Sequence, residues 1–347
     1  MWIKPFSLAL ASPLSTARGE ITERRGFLVG IDDTATPPGI GEASPLPGWT
    51  ESLEDCRDAL EATDPVTPET HPDPSTTPAA AHAVELAGLD RRGRNDSTPL
   101  ATMLRKNAFD DADAAVPQQV PVNATIGNDD LNATVAAAER AVTDGYDCLK
   151  LKAGSQSVEA DLQRVRAVRE AVGDAVALRI DANGAWDVPT AEHAIDELAA
   201  LDVAYVEQPL PAANLADHRE LRGRGVDIAL DESLATASIS AVLDADAADV
   251  VILKPMALGG PLQATQAAAA AREAGVEPVV TTTIDAVVAR TAAVHVAAAI
   301  PDIAPCGLAT GSLLADDLAA DPVRISEGAA SVPTGGGLCG DAFETLR

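Results

Sequence analysis

Lysine is the scarcest charged residue of this chain, since only five of its 25 basic residues are lysines. Acidic residues number 53, so the formal net charge is −28. This charge excludes nucleic-acid binding, because phosphates would be repelled, and it argues against anionic membrane surfaces. An acidic, lysine-poor composition also predicts adaptation to high salt, where counterions screen the self-repulsion of the surface.

Cysteine is equally sparse, and no two cysteines form a CxxC pair or another zinc-binding spacing. The four cysteines are Cys56, Cys148, Cys306 and Cys339. Two of them fall within predicted strands, where an inert buried thiol is the ordinary state. Cysteine-ligated zinc is therefore excluded, and a reduced, cytoplasmic location is expected.

The chain also lacks long apolar runs, and none approaches the ~20 residues of a membrane span. The apolar residues near the N-terminus alternate as Phe6, Leu8 and Leu10. Alternation of this kind predicts a strand rather than a secretory leader.

Short strand-like runs alternate with alanine-rich helical segments from about residue 119 onwards. The runs lie near 120–126, 147–152, 176–181, 203–207, 226–231, 249–254, 277–282 and 303–306. One short strand per helix predicts a parallel α/β sheet, and eight strands favour closure into a TIM-like barrel. An open doubly wound sheet remains the alternative, but no Gly-rich turn follows the first strand. The match to G-x-G-x-x-G at 335–340 has no helix to open and is not interpreted as a nucleotide site.

Residues 1–115 follow a different pattern. Two strand-like runs, SLALA and GFLVGI, precede a Pro/Gly-rich stretch and a helix that begins after Ser52. A loop with five prolines at 64–78 leads into a second helix. We therefore expect an α+β capping domain at 1–115, joined by the C-terminal segment 320–347, and a barrel domain at 116–319.

Five charged residues end successive apolar runs at intervals of 23 to 29 residues. They are Lys152, Asp181, Glu207, Asp231 and Lys254. A parallel barrel builds its active site at the C-terminal ends of its strands, so these side chains should converge. Three carboxylates without histidine or cysteine suit Mg²⁺, or Mn²⁺, and the two lysines suit acid/base roles.

Neighbouring polar residues share a face with this set, because side chains alternate along a strand. Lys150 should point the same way as Lys152. Arg179 and Asn183 should line the same pocket as Asp181, with the planar Arg179 guanidinium placed to hold a substrate carboxylate.

Each of these residues has a purely structural alternative. Asp181 could open an Asp-Ala-Asn-Gly turn, Glu207 could end a strand before a proline, and Asp231 could cap a helix. Lys254 follows the apolar run DVVIL, where an unpaired ammonium would be costly. Their regular spacing favours a joint site. All five histidines fall in predicted helices or loops, so a histidine base is not expected.

The segments KxK, DxN, Glu-Gln-Pro, Asp-Glu-Ser and Leu-Lys-Pro resemble those of the enolase superfamily, muconate-lactonising subgroup, over nearly the whole chain. The resemblance implies a (β/α)7β barrel with an N-terminal α+β capping domain. It also implies that the three carboxylates bind Mg²⁺, that Lys152 removes an α-proton, and that Lys254 faces the other side of the intermediate as a cation. Lys150 would support the site.

Within that subgroup, GIGEASPLPGW, AAAHAVELAGLD, PVNATIG and CGLATG resemble the o-succinylbenzoate synthases of menaquinone biosynthesis. This implies syn dehydration of 2-succinyl-6-hydroxy-2,4-cyclohexadiene-1-carboxylate. Thr282, Thr283 and the backbone from Gly307 to Gly311 would position its succinyl carboxylate, and the 12–20 loop would exclude water.

N-acylamino-acid racemases and dipeptide epimerases share this scaffold and remain the main alternative. Their racemase branch often has arginine three residues after the last lysine, where this chain has Ala257. That difference favours the synthase. A barrel that binds a small molecule without turnover is a third alternative, and the oligomeric state stays open.

The acidic composition generates a first prediction. Molar KCl should raise the thermal unfolding midpoint relative to dilute buffer, by about 2–4 °C for each kcal/mol of repulsion relieved. Thermal melts across a KCl series test this, and a midpoint that is flat or falls with salt contradicts salt adaptation.

Overall fold

The computed structural model describes residues 1–16, 19–33, 36–109 and 115–346. Its N-terminal part is a three-stranded antiparallel sheet of β1 (Trp2–Thr16), β2 (Gly19–Asp33) and β3 (Thr36–Ala43). The two predicted strands are confirmed, and residues 12–16 of the predicted loop extend β1. Residues 17 and 18 lie outside the described residues.

Strand β3 lies in the Pro/Gly-rich stretch, where the sequence indicated no strand. It pairs with β2 and packs beneath the helix α2 (Pro78–Asn95), which follows α1 (Leu53–Glu61). A Cβ on Gly41 would lie 2.0 Å from the carbonyl oxygen of Ala83 in α2. The glycines that obscure the strand in the sequence are what lets its backbone approach the helix.

The remaining features of the capping domain are the N-cap of α1 and a third helix. The Ser52 hydroxyl caps α1 by accepting from the amide of Asp55, as predicted. A further helix, α3 (Leu100–Ala108), follows α2 and packs against the barrel.

Seven parallel strands form the curled sheet of the second part, after a short strand β4 (Gln119–Pro121). They are β5 (Ala124–Ile126), β6 (Cys148–Lys152), β7 (Ala177–Asp181), β8 (Val203–Glu207), β9 (Asp227–Leu230), β10 (Val250–Leu253) and β11 (Glu277–Val280). Their order in the sheet follows the sequence, as βα repeats require.

Helices connect and cover these strands. They are α4 (Leu131–Thr143), α5 (Val158–Val172), α6 (Val188–Ala199), α7 (Leu215–Leu221), α8 (Ile239–Asp244), α9 (Pro255–Leu258), α10 (Pro261–Glu273) and α11 (Val287–Ala299). Short side chains such as alanine allow the helices to approach the sheet closely, and the buried faces merge into one large apolar core. The predicted α/β barrel with its antiparallel cap is confirmed.

The first and last predicted barrel strands are shorter than expected. Residues 120–126 divide between β4 and β5, and the run at 303–306 forms only isolated bridges. Cys306 bridges Val122 and Gly307 bridges Thr281, so this segment joins β11 to the start of the barrel. The segment pairs through single bridges rather than a continuous ladder, and these bridges close the ring.

The C-terminal segment returns to both parts of the molecule. Strands β12 (Ile325–Ser326) and β13 (Ala329–Ser331) form a small antiparallel sheet with β4. The Gly-rich stretch at 335–340 packs on α2, where the Leu338 amide donates to Asp90. We propose the domain division at residues 115 and 116 with segment 320–347 as the joining piece, as the sequence indicated.

None of the helices among the described residues is both long and apolar enough to cross a bilayer.

The packing of α2 on β3 generates a prediction. Gly41→Ala should lower the free energy of unfolding by ~1–3 kcal/mol, because its methyl group would overlap the α2 backbone. Gly88→Ala, at an exposed position of α2 with no atom within 4 Å of the added Cβ, should instead stabilise by about 0.5–1 kcal/mol. Urea titrations measure both. Equal effects of the two substitutions would contradict the close approach.

Candidate active site

Strand register brings the predicted charged residues to one level at the mouth of the barrel. Lys152 on β6 pairs with Asp181 on β7, and Asp181 pairs with Glu207 on β8. Asp231 directly follows β9 and Lys254 directly follows β10. Five neighbouring strands therefore each contribute a charged side chain at or just after their C-terminal ends, as the spacing predicted.

The first group of contacts joins two lysines to two buried acids. The Lys150 ammonium donates to both Glu207 carboxylate oxygens, at 2.8 and 3.0 Å, and lies 3.2 Å from Asp181 Oδ2. Lys152 donates to the same Asp181 oxygen at 2.7 Å. Asp181 and Glu207 are each 1% exposed, so these ammonium groups offset the cost of burying their charge.

The second group of contacts lies on the other side of the site. Lys254 Nζ donates to Asp231 Oδ2 at 2.7 Å and stands 3.2 Å from the centroid of the Trp49 ring. Trp49 belongs to the cap, so a cation–π contact links the cap to this lysine. The sequence singled out the segment that contains Trp49 but assigned the residue no contact with the site.

Asn183 links the first group to Glu232, the residue that follows Asp231 in the sequence. Its side-chain oxygen accepts from Lys152 at 2.9 Å, and its amide nitrogen donates to Glu232 at 2.9 Å. Its φ of 47° lies in the left-handed region, which asparagine tolerates better than most residues. The prediction that Asn183 lies beside Asp181 is consistent with this placement.

Gln208 is a supporting residue that sequence reasoning missed. Its oxygen accepts from the amides of Asp231 and Ser233, and its nitrogen donates to the Leu210 carbonyl and the Ser233 hydroxyl. The residue is fully buried. It therefore fixes the backbone that carries Asp231. The Glu-Gln-Pro motif contained the signal, but only its glutamate was interpreted.

Burial and neighbouring charges separate the pKa values of the site. Burial raises the pKa of Glu207 to about 7, with the nearby Asp181 carboxylate adding to the effect. Burial likewise raises the pKa of Asp231 to about 6 against the opposing influence of Lys254. Burial would also raise the pKa of Asp181, but the ammonium groups of Lys150 and Lys152 hold it well below its ordinary value.

Lys150 lies between two carboxylates. Burial would lower the pKa of its ammonium group, but the carboxylates of Glu207 and Asp181 raise it well above its usual value. This residue therefore suits a fixed counter-charge rather than proton transfer.

The donor set fits a hard divalent cation. Asp181, Glu207 and Asp231 offer only oxygen ligands, which Mg²⁺ and Mn²⁺ prefer. Asp231 Oδ1 is buried and accepts no hydrogen bond, so one oxygen of the set is unsatisfied within the protein. Among the described residues, no three acidic, histidine or cysteine side chains are already grouped as metal ligands, and lysines neutralise the acids instead.

Arg179 contacts the barrel wall rather than the carboxylates. Its guanidinium donates to the Pro305 carbonyl and to Asn123, and it lies 4.7 Å from the centroid of the Tyr205 ring. It is 5% exposed. These contacts favour a role in holding the closing segment, and the predicted contact of Arg179 with a substrate carboxylate stays an untested prediction.

The remaining predicted substrate contacts lie beyond the end of β11. The Thr282 hydroxyl is 3.0 Å from that of Thr310, and the Thr283 hydroxyl donates to Asp285 at 2.5 Å. The Gly307 amide donates to the Val280 carbonyl as part of barrel closure. The structure therefore brings Thr282, Thr283 and Gly307 to one edge of the barrel mouth, with several of their polar groups already bonded.

Comparisons with known proteins agree with this geometry. Residues 133–341 match the family described as enolase C-terminal domain-like. An o-succinylbenzoate synthase of Thermobifida fusca is 41% identical over 218 residues, which are 60% of this chain and 65% of that protein. A hydrophobic dipeptide epimerase of Enterococcus faecalis is 30% identical over 317 residues, 87% of each protein.

A solved structure supports the fold and carries a metal. The dipeptide epimerase from Enterococcus faecalis complexed with Mg and the dipeptide L-Leu-L-Tyr has a TM-score of 0.83 and 27% identity. The similarity covers 97% of each chain.

The raised pKa of Glu207 generates a prediction for EDTA-treated protein. A carboxyl whose folded pKa is about 7 rather than 4.5 contributes stability below pH 4.5 that is lost as the pH rises through 7. The contribution of Glu207 to wild-type stability should therefore fall as the pH rises from about 4.5 to about 7. Glu207→Gln should show a shallower decline.

Urea titrations at a series of pH values measure this difference. Glu139→Gln, an exposed substitution on α4, serves as the control and should follow the wild-type curve. Parallel curves for wild type and Glu207→Gln would show that Glu207 does not titrate in this range.

Proposed function

This chain belongs to the enolase superfamily, and from that premise we propose that it removes the proton α to a carboxylate in a small-molecule substrate. The observation that carries the proposal is the strand order, in which Lys152 and Lys254 flank three buried carboxylates. Two ammonium groups separated by acidic residues can address the two faces of one bound carboxylate.

Asp181, Glu207 and Asp231 would hold the metal ion, for which Mg²⁺ is the first candidate and Mn²⁺ the second. A bound divalent cation supplies electrostatic stabilisation of negative charge that develops on a substrate carboxylate. The unsatisfied oxygen of Asp231 and the all-oxygen donor set support this assignment.

Lys152 is the proposed base. Its side chain is 32% exposed, whereas those of Lys150 and Lys254 are 14% and 10% exposed. It is therefore the site lysine with the greatest access to a substrate. Its hydrogen bonds to Asp181 and Asn183 orient the ammonium group, and Lys150 keeps the adjacent acids neutralised.

Lys254 is proposed to act as a fixed positive charge on the other face. Asp231 and the Trp49 ring hold its ammonium group from two sides. A cation held in this way can stabilise negative charge on the substrate without exchanging a proton.

The first reaction we propose is that of o-succinylbenzoate synthase. Lys152, acting as the free amine, takes the α-proton of 2-succinyl-6-hydroxy-2,4-cyclohexadiene-1-carboxylate and becomes an ammonium group. The hydroxyl group then leaves from the same face as water, with that proton returned to it. The ring becomes aromatic. The 41% identity to the Thermobifida fusca synthase supports this lyase reaction, and Thr282, Thr283 and Gly307 remain proposed contacts for the succinyl carboxylate.

The second candidate is racemisation or epimerisation of an N-acylamino acid or dipeptide. The similarity to a dipeptide epimerase extends over 87% of this chain, more than the share matched by the synthase. Such a reaction requires a proton to leave one face and return to the other, so both lysines would have to act as bases. Assays of the purified protein on each substrate class distinguish the candidates.

Metal dependence is a prediction of either reaction. EDTA should abolish activity, and Mg²⁺ or Mn²⁺ should restore it. Asp181→Asn, Glu207→Gln and Asp231→Asn should each remove most activity, because each deletes one charged oxygen ligand. Elemental analysis accompanies the assay. Full activity in a preparation free of metal would overturn the metal assignment.

The two lysines should respond differently if the dehydration is correct. Lys152→Ala should lower kcat by the ~10²–10⁴-fold typical of a lost general base. Lys254→Arg keeps the charge but cannot act as a base near neutral pH, so it should retain more activity than Lys254→Ala. Steady-state kinetics on the dehydration substrate measure the series.

Exchange of the α-proton with solvent deuterium provides the control for the two reactions. Two outcomes together would favour the racemase over the synthase. The wild-type protein would racemise N-succinylamino acids efficiently, and Lys254→Arg and Lys254→Ala would be equally inactive. If metal-dependent exchange is observed with none of the α-carboxylate substrates, both proposed reactions are contradicted.

A further inference from the structure

The loop 281–286, which joins β11 to α11, adopts a strained shape at the mouth of the barrel. Ile284 has a φ of 62°, in the left-handed region. That conformation is unfavourable for a β-branched residue, and it persists only where surrounding contacts determine it. One such contact lies within the loop, where the Thr282 hydroxyl accepts from the Ile284 amide, and others come from the capping domain.

Two charged cap residues reach this loop. Arg24 Nε donates to the Ile284 carbonyl at 3.1 Å, and its other nitrogens donate to the carbonyls of Ser44 and Pro45. The Glu42 carboxylate accepts from the amides of Ala286 and Ala289, both at 2.8 Å. Ile284 and Ala286, which bound the second half of the loop, are therefore both hydrogen-bonded to the cap.

Apolar packing adds a third connection. Leu8 of β1 forms a small buried cluster with Ala286 and Leu314, and Ile284 packs against that cluster. The cap therefore contacts the loop through a cation, an anion and an apolar surface, which together constrain the strained backbone.

Glu42 also shares the capping of α11 with Asp317, which accepts from the Val287 amide at 2.9 Å. Every residue of α11 is buried, and the residue at its N-cap position, Ala286, has no side-chain acceptor. A carboxylate next to the free amides of a helix N-terminus is stabilising, and hydrogen bonds to it are strong because of its charge. Glu42 is fully buried, and the Ser44 hydroxyl orients it by donating to Oε1 at 2.6 Å.

We propose that Glu42 is a positioning residue of the substrate site. Its carboxylate holds the loop 281–286 in one arrangement, and thereby sets the location of Thr282 and Thr283 at the end of β11. The kinetic consequence rests on the proposed function, in which this edge contacts the substrate. The structural consequence, the ordering of the loop by the cap, does not.

Glu42→Gln tests the kinetic consequence on the intact, metal-loaded protein. The new glutamine side chain would place its NH2 group opposite a backbone N–H group. Because both are donors, one charge-assisted hydrogen bond is lost. We expect KM to rise about tenfold while kcat changes less than about threefold, because hydrogen bonds to charged groups contribute on that order. A loss confined to kcat would contradict the proposal.

Asp90→Asn is the matched control. Asp90 is also buried and accepts from two backbone amides, those of Ile40 and Leu338, at 3.0 and 2.9 Å. Those amides lie outside the loop 281–286. Asp90→Asn should lower the free energy of unfolding by about as much as Glu42→Gln, yet leave KM near the wild-type value. An equal rise in KM in both variants would reduce the role of Glu42 to general stability.

Hydrogen exchange of peptides covering 281–290 tests the loop without turnover. Glu42→Gln should accelerate exchange there about tenfold, and Asp90→Asn should not. Ser44→Ala, a milder change that leaves the carboxylate in place, should give a smaller increase and decides the matter if Glu42→Gln fails to fold. Unchanged protection of this loop in Glu42→Gln overturns the proposal. If Glu42→Gln does not fold, unchanged protection in Ser44→Ala overturns it. Neither measurement requires turnover of a substrate.

Discussion

Three carboxylates and three ammonium groups share a buried space at the ends of neighbouring barrel strands, and their mutual neutralisation is the constraint on which the site depends. Burying any of these charges alone would cost several kcal/mol. The barrel solves this by register, because pairing of Lys152 with Asp181 and of Asp181 with Glu207 places opposite charges side by side. The remaining acid, Asp231, keeps one unsatisfied oxygen. A divalent cation there would give this oxygen the partner that the protein does not supply.

The cap also contacts the barrel around the site, through side chains that reach across to it. Glu42 completes the N-terminus of α11, and Glu85 accepts from the Leu262 amide at the start of α10. Trp49 covers the ammonium of Lys254. Two barrel helices that lack polar N-cap side chains, α10 and α11, therefore receive acidic acceptors from the cap. The cap contributes to the shape of the site as well as to its coverage.

The repeating pattern was predictable from sequence because strand–helix units impose a nearly constant interval on the residues that follow each strand. That regularity correctly indicated the barrel and the convergence of Lys152, Asp181, Glu207, Asp231 and Lys254. Strand β3 was missed because its glycines serve close packing rather than strand propensity. Gln208 and Trp49 were missed because their roles depend on contacts across the fold that leave no periodic signal.

The contrast between the two lysines has a physical origin in their surroundings. Lys152 is partly exposed and bonded to an acid and an amide oxygen, so a substrate can approach its nitrogen. Lys254 is held between a carboxylate and an aromatic face, which fix the position of its side chain from two sides. The proposed dehydration needs only a positive charge at that position, whereas racemisation requires a second base there.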